Sequence, residues 1–206
     1  MNKRNPERNR ERILAAALEE FARYGLGGAR VDRIASRAGA NKRMLYYYFG
    51  NKEDLFLAVL ESCYANIRRA ERRLRLNALD PAEGVRRLIA FTWNYCLKHP
   101  EFLTLLISEN LHRARHLKRS RQIAAMHSPL VAMLRELLER GLRQGEFRRS
   151  VDPVQLYISI AALSYFYLSN RHTLSTIFER DLLSERNKAE RLRHINELVL
   201  GSLLRA

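Results

Sequence analysis

The sequence predicts an all-α protein: an N-terminal three-helix domain containing a helix-turn-helix, followed by a larger helical domain. Three observations lead there. Apolar residues recur at i, i+3, i+4 and i+7 in one segment after another, and no segment alternates like a strand for long. Two of these patterns are separated only by Gly39 and Ala40, too little chain for anything but a sharp turn. Further along, Asp-Pro or Ser-Pro pairs stand at the heads of apolar-periodic segments, the arrangement of a cap followed by proline at the first helical position.

In chain order, Met1 to Asn9 is polar and basic, with Lys3, Arg4 and Arg8, and reads as a tail. It is either a solvated end or an arm that adds phosphate contacts. Arg10 to Tyr24 is the first helix, with Leu14, Ala17, Leu18 and Phe21 as its buried stripe and Gly25 as its stop. Val31, Ile34, Ala35 and Ala38 mark the second helix, ended by Gly39. Asn41 is an N-cap for the third, NKRMLYYYF, in which Leu45 and Phe49 lie one turn apart and face inward. Lys42, Arg43, Met44, Tyr46 and Tyr47 fall on the remaining arc, where one bidentate donor, one apolar tip and two amphipathic rings suit base edges and phosphates. Asn51 caps a fourth helix running to about Leu76, with Glu53 and Asp54 in its first turn. Its second half is dense in arginine, and Arg68, Arg69, Arg72, Arg73 and Arg75 read as a solvated face.

Asp80-Pro81-Ala82-Glu83 predicts a helix start with a capping box, and that helix runs to Lys98. Glu101 to about His112 is a short helix, and basic residues crowd the turn after it. Ser128-Pro129 predicts the start of a helix to Gln144, and Asp152-Pro153 one from Val154 to Asn170. The latter is apolar nearly all round, so it must be covered on more than one side. Glu185 to Leu204 is the last helix, with Leu192, Ile195, Val199 and Ser202 as a seam.

The formal net charge is +15, which points to a polyanionic partner; coincidence with a helix-turn-helix favours nucleic acid over a membrane surface. No apolar run approaches the roughly 20 residues of a membrane span, and the N-terminus lacks the apolar core of a signal peptide. Cys63 and Cys96 offer no disulfide framework and read as reduced thiols in a cytoplasmic protein. Cys96 and His99 share helical spacing, but without a third ligand they predict no metal site. Six scattered histidines and no Gly-rich phosphate loop give no catalytic constellation and no cofactor, so the chain is not predicted to be an enzyme.

Ile13 to Leu60 resembles the DNA-binding domain of the TetR family of transcriptional regulators. The resemblance is carried by FARYG (Phe21 to Gly25), V-x-x-IA-x-RAG (Val31 to Gly39), LYYYF (Leu45 to Phe49) and GNKEDL (Gly50 to Leu55), in the family's order and spacing. It implies a DNA-binding domain over 1–50, with Tyr47 and Lys52 on phosphates and Asn41, Lys42, Arg43, Met44 and Tyr46 near the groove. Residues 51–206 would form a helical effector-binding and dimerisation domain. Ala29 stands where the family has Thr or Ser, Arg43 and Met44 replace a common Gly-Thr pair, and Tyr48 replaces a common His. These departures alter which operator is read.

A single short recognition helix contacts few base pairs. Two copies spaced by roughly 34–36 Å read a palindrome, so a homodimer is expected, packed through helices 154–170 and 185–204. The expected function is a ligand-responsive repressor released by a small molecule; a constitutive or architectural DNA-binding protein is the alternative. Trp93, Phe102, Glu109, Asn110 and Tyr165 lie on or beside apolar faces and are candidates for the effector pocket. PEFLTLLISENLH (Pro100 to His112) resembles a TetR branch that includes regulators of pyrimidine and nicotinate breakdown, which implies a planar or anionic metabolite.

Overall fold

The computed structural model describes residues 6–204, and Lys3 and Arg4 of the basic tail lie outside them. Ten α-helices follow one another with two single turns of 3-10 helix, and the only strand-like pairing among the described residues is an isolated bridge between Phe147 and Leu204. The helices are α1 (Pro6–Gly28), α2 (Val31–Arg37), α3 (Lys42–Phe49), α4 (Lys52–Arg72), α5 (Pro81–Lys98), α6 (Pro100–Leu111), α7 (Arg121–Arg143), α8 (Pro153–Ser169), α9 (Arg171–Ile177) and α10 (Glu185–Leu203).

Several local features differ from the sequence reading, among them the end of α4, which comes at Arg72 rather than near Leu76. Helix α1 starts at Pro6, so the end of the expected tail is already helical; Gly25, at φ +64°, breaks it where the stop was expected. Asp80 makes no side-chain cap bond; the Glu146 carboxylate accepts from Ala82 N–H instead. Pro129 lies inside α7 rather than at its start, because Arg121 to Ser128 is itself helical, and the proline lacks the donor to the turn before it. Helix α9 was not anticipated.

The described chain packs as two compact units, residues up to Asn66 with Glu101–Ala125, and Ile67–Pro100 with Met126 onward. In the first, α1 to α3 surround Ile13, Phe21, Ile34 and Leu45, all fully buried. The unit extends beyond Gly50, because Phe56 of α4 meets the Phe21 ring edge-on at 5.1 Å. The segment after α6 is held to the same helix. His116 packs on Phe56 at 5.1 Å, Ser120 donates to Glu61 at 2.6 Å, and Arg119 pairs with Asp54.

In the second unit α5 is central and packs against α8 and α10. Val85, Leu88, Ile89 and Trp93 fill the core, and the Trp93 ring meets Tyr167 at 5.5 Å. Arg140 of α7 donates to the carbonyls of Leu76, Asn77 and Leu79 and so fixes the turn that enters α5. Among the described residues no helix is long and apolar enough to cross a membrane.

Candidate nucleic-acid interface

The interface is assembled from α2 and α3. Gly39, at φ +57°, permits the turn: its N–H donates to the Ser36 carbonyl at 3.0 Å, and Ala40 N–H to the Ala35 carbonyl at 2.9 Å. Asn41 then caps α3, its side-chain oxygen accepting from Met44 N–H at 2.8 Å. Gly50, at φ +79°, closes α3, and Asn51 caps α4 by accepting from Asp54 N–H at 2.8 Å. The Gly39 turn and the Asn41 and Asn51 caps sit where the sequence predicts them.

Leu45 and Phe49 are buried and anchor α3, and Arg10 of α1 lies over the Phe49 ring at 5.3 Å. The opposite arc is open. Lys42 and Arg43 are exposed, Met44 is half-buried, and Tyr46 and Tyr47 are 47% and 83% exposed. Tyr47 thus presents both its ring and its hydroxyl to solvent. The Tyr47 ring rests edge-on against Tyr48 at 5.4 Å, which restricts its rotamers. Lys42 pairs with Asp32, a link between α2 and α3. The Lys52 ammonium reaches the Ala29 carbonyl at 3.4 Å, so part of its charge is turned toward the start of α2.

Two contributors escaped the sequence reading. Glu20, fully buried in α1, accepts from the Arg30 N–H at 3.0 Å and from Arg33 Nε at 2.6 Å. It supplies the cap that Ala29 and Arg30 cannot, since α2 has no side-chain cap of its own. Burial pushes the Glu20 carboxyl up, but the Arg33 bond, the Arg30 amide and the charges of Arg33 and Arg37 outweigh that and leave it below its ordinary value. Arg33 also lies 4.2 Å over the Tyr24 ring and donates to the Gly28 carbonyl at 2.9 Å. A carboxylate at the end of a helical stripe gave no signal of this role in the sequence.

The five effector candidates are divided between the two units. Phe102, Glu109 and Asn110 belong to the first unit, Trp93 and Tyr165 to the second. Phe102 packs edge-on to Tyr64 at 5.4 Å. Both Glu109 oxygens are engaged: one accepts from the N–H groups of His116 and Leu117 at 2.8 and 2.9 Å, the other contacts His116 Nδ1 at 2.6 Å. Glu109 thus holds the turn after α6. Asn110 is exposed, and its amide donates to the Leu106 carbonyl. Tyr165 is half-buried, and burial raises its hydroxyl pKa.

Arg68 also departs from the solvated arginine face expected of it. It is 2% exposed and donates to Glu71 and to the Tyr157 hydroxyl, both at 2.6 Å. The two cysteines are free and buried, with thiols pushed up by burial to about 12 for Cys63 and about 11 for Cys96. Among the described residues no group of three or more His, Cys, Asp or Glu is placed to hold a metal ion.

Comparison with known proteins agrees with this architecture. A model described as bacterial regulatory proteins, tetR family, matches residues 13–59, and one described as tetracyclin repressor-like, C-terminal domain, matches residues 81–199. The HTH-type transcriptional repressor NicS of Pseudomonas putida is 44% identical over 199 residues, 97% of this chain and 94% of its own length. The HTH-type transcriptional repressor SCO4008 of Streptomyces coelicolor is 36% identical over 143 residues, 69% of this chain and 71% of the relative. Among solved structures, the putative transcriptional regulator SCO4942 of Streptomyces coelicolor superposes with a TM-score of 0.70 at 26% identity, over 96% of this chain and 99% of that one. The buried anchors of α3, the glycine turn before it and both family matches lead to one conclusion: the chain belongs to the TetR family of transcriptional regulators.

Proposed function

We propose that the protein is a homodimeric repressor that binds a palindromic operator and releases it when a small molecule binds the second unit. The observation that carries this reading is the open arc of α3, with Arg43, Tyr46 and Tyr47 outward over buried Leu45 and Phe49. Arg43 and Met44 meet base edges; Tyr46, Tyr47, Lys42 and Lys52 meet phosphates, while Asn41 fixes the start of the helix. The identity to NicS, whose name gives it as a repressor, supports repression over activation.

Dimerisation is supported by α8. Val154, Ile158, Ala162 and Phe166 recur every four residues on one stripe and are all exposed, with Ile158 at 50% and Phe166 at 59%. Leu198 of α10 is 48% exposed as well. An apolar stripe of this length is covered in water, and a two-fold partner carrying the same stripe is the simplest cover.

Release requires that the effector bind the non-DNA-binding conformer more tightly than the DNA-binding one. Helix α4, from Lys52 beside the reading pair to Arg72, contributes residues to both units. A gel shift with DNA from upstream of the protein's own gene tests the reading. A sharp shift, competed by unlabelled operator and not by random duplex, is expected. Folded protein that gives no shift at low salt overturns it, and a shift that no metabolite reverses leaves a constitutive DNA-binding protein.

A further inference from the structure

The second unit contains a buried charged cluster that the fold alone does not require. Arg68 on α4 is 2% exposed. Its two terminal nitrogens bond Glu71 and the Tyr157 hydroxyl, and its guanidinium lies 5.2 Å over the Tyr157 ring. Its Nε is buried with no hydrogen-bond partner. An unsatisfied, charged donor away from water is costly and calls for an acceptor. The cluster opens onto a cavity of about 20 Å³ lined by Arg68, Glu71 and the exposed Arg72 on α4 and by Met126, Pro129, Leu130 and Met133 on α7.

The lining indicates what kind of acceptor fits. The four α7 residues form one helical face at i, i+3, i+4 and i+7, and all are apolar. Two are methionines, whose flexible side chains yield to an incoming group. Pro129 breaks the backbone ladder of α7 at the same place, which makes this stretch easier to deform. The present space is about that of a single water. A ligand must therefore bring its own small, strong acceptor and an apolar remainder that replaces methionine contacts. A carboxylate is the acceptor that a guanidinium recognises most strongly.

Resting on the reading of the protein as an effector-responsive regulator, we propose that this cluster is the effector site and that a small monocarboxylate occupies it, accepting from Arg68 Nε with its apolar body among Met126, Leu130 and Met133. A second carboxylate beside the one buried guanidinium raises the pKa of one of the two acids. Glu71 is the one that takes up a proton: burial has already pushed its carboxyl up to about 7, against the opposing pull of Arg68 and Arg72. The other groups at the cluster are Arg72 on α4, a cation that lines the cavity, and Tyr157 on α8 and Cys96 on α5, both raised by burial and both neutral in this range, while the α7 lining carries none. Binding thus takes up one proton wherever Glu71 starts ionised, so affinity falls about tenfold per pH unit above that value.

Calorimetric titration of the full chain with butyrate, hexanoate and benzoate, and with their amides, tests the site. At least one acid is expected to bind tenfold or more tighter than its amide, with about one proton taken up at pH 8 in buffers of differing ionisation enthalpy. Glu71→Gln keeps the preference and loses the proton uptake and the pH slope. Arg68→Met with Glu71→Gln, which removes both charges together and leaves neither orphaned, loses the preference. Absence of any acid-over-amide preference, as for a cavity that holds only water, overturns the proposal, as does a preference that survives in the double variant. An operator gel shift on the same samples separates the two readings. A shift without carboxylate binding defeats the site alone, and carboxylate binding through Arg68 without a shift defeats the repressor alone.

Discussion

Glu20 and Arg33 tie the first helix to the reading pair: a fully buried carboxylate oxygen accepts from Arg33 Nε at 2.6 Å while also taking the Arg30 N–H at 3.0 Å. Glu20→Ala leaves both donors without that acceptor, an effect of about 1–3 kcal/mol. The melting temperature of the protein falls, and operator affinity falls with it, because α2 supports α3. The carboxyl is held below its ordinary 4.5, so its contribution is present above that pH and is lost as pH falls through the lowered value. The difference in melting temperature between the parent protein and Glu20→Gln therefore shrinks on acidification below 4.5. A difference that is constant with pH contradicts the charged role.

The outward arc of α3 separates two kinds of substitution. Tyr47→Phe and Lys52→Ala weaken binding to operator and random duplex alike, and loss of the Lys52 cation lowers the salt dependence by about one unit of slope, whereas Tyr47→Phe, which removes no charge, leaves the slope unchanged. Arg43→Ala costs about 1–3 kcal/mol on the operator alone if it bonds a base edge in bidentate fashion. Titrations of both duplexes at several salt concentrations measure this. Equal losses on the two duplexes for Arg43→Ala remove it from base reading. Because Lys52 also reaches the Ala29 carbonyl at 3.4 Å, circular dichroism of Lys52→Ala checks that α2 is intact.

What the sequence made legible is what depends on near neighbours. Leu45 and Phe49 share a face by spacing alone, Gly39 and Asn41 carry turn and cap chemistry within three residues, and the two-sided apolarity of α8 is visible in its composition. What remained hidden depends on residues far away in the chain. Arg68 resembles Arg69, Arg72 and Arg73 in any local window, and its burial is decided by Tyr157, 89 residues on. Glu109 looks like a pocket acid because it interrupts an apolar run; its partners, His116 and Leu117, lie beyond the end of its helix. Pro129 reads as a helix start, since a proline inside a helix is locally unfavourable, yet α7 continues through it from Arg121 to Arg143.

The exposed stripe of α8 predicts the effect of charge on assembly. Ile158→Glu and Phe166→Glu place carboxylates where an apolar partner surface is expected, and neither side chain is buried in the single chain, at 50% and 59% exposure. Each variant is expected to keep its helical circular dichroism, to sediment as a monomer, and to lose operator binding by at least tenfold, since one head then reads half a site. Dimers that persist in both variants would place the interface elsewhere.

Glu71 makes stability itself pH-dependent in the opposite sense to Glu20. Its folded carboxyl is raised from 4.5 to about 7 by burial, which the charges of Arg68 and Arg72 only partly offset. A raised value means that the folded state holds the proton more tightly than the unfolded chain. The stabilisation is therefore complete below 4.5, declines as pH rises, and is gone above about 7. Glu71→Gln, which mimics the protonated acid in shape, removes this decline. Denaturant melts of parent and variant between pH 5 and pH 8 are expected to show a gap that widens in favour of Gln as pH rises and levels off near neutrality. A gap that instead widens toward acid would mean that the pairing with Arg68 outweighs burial and that Glu71 is ionised throughout.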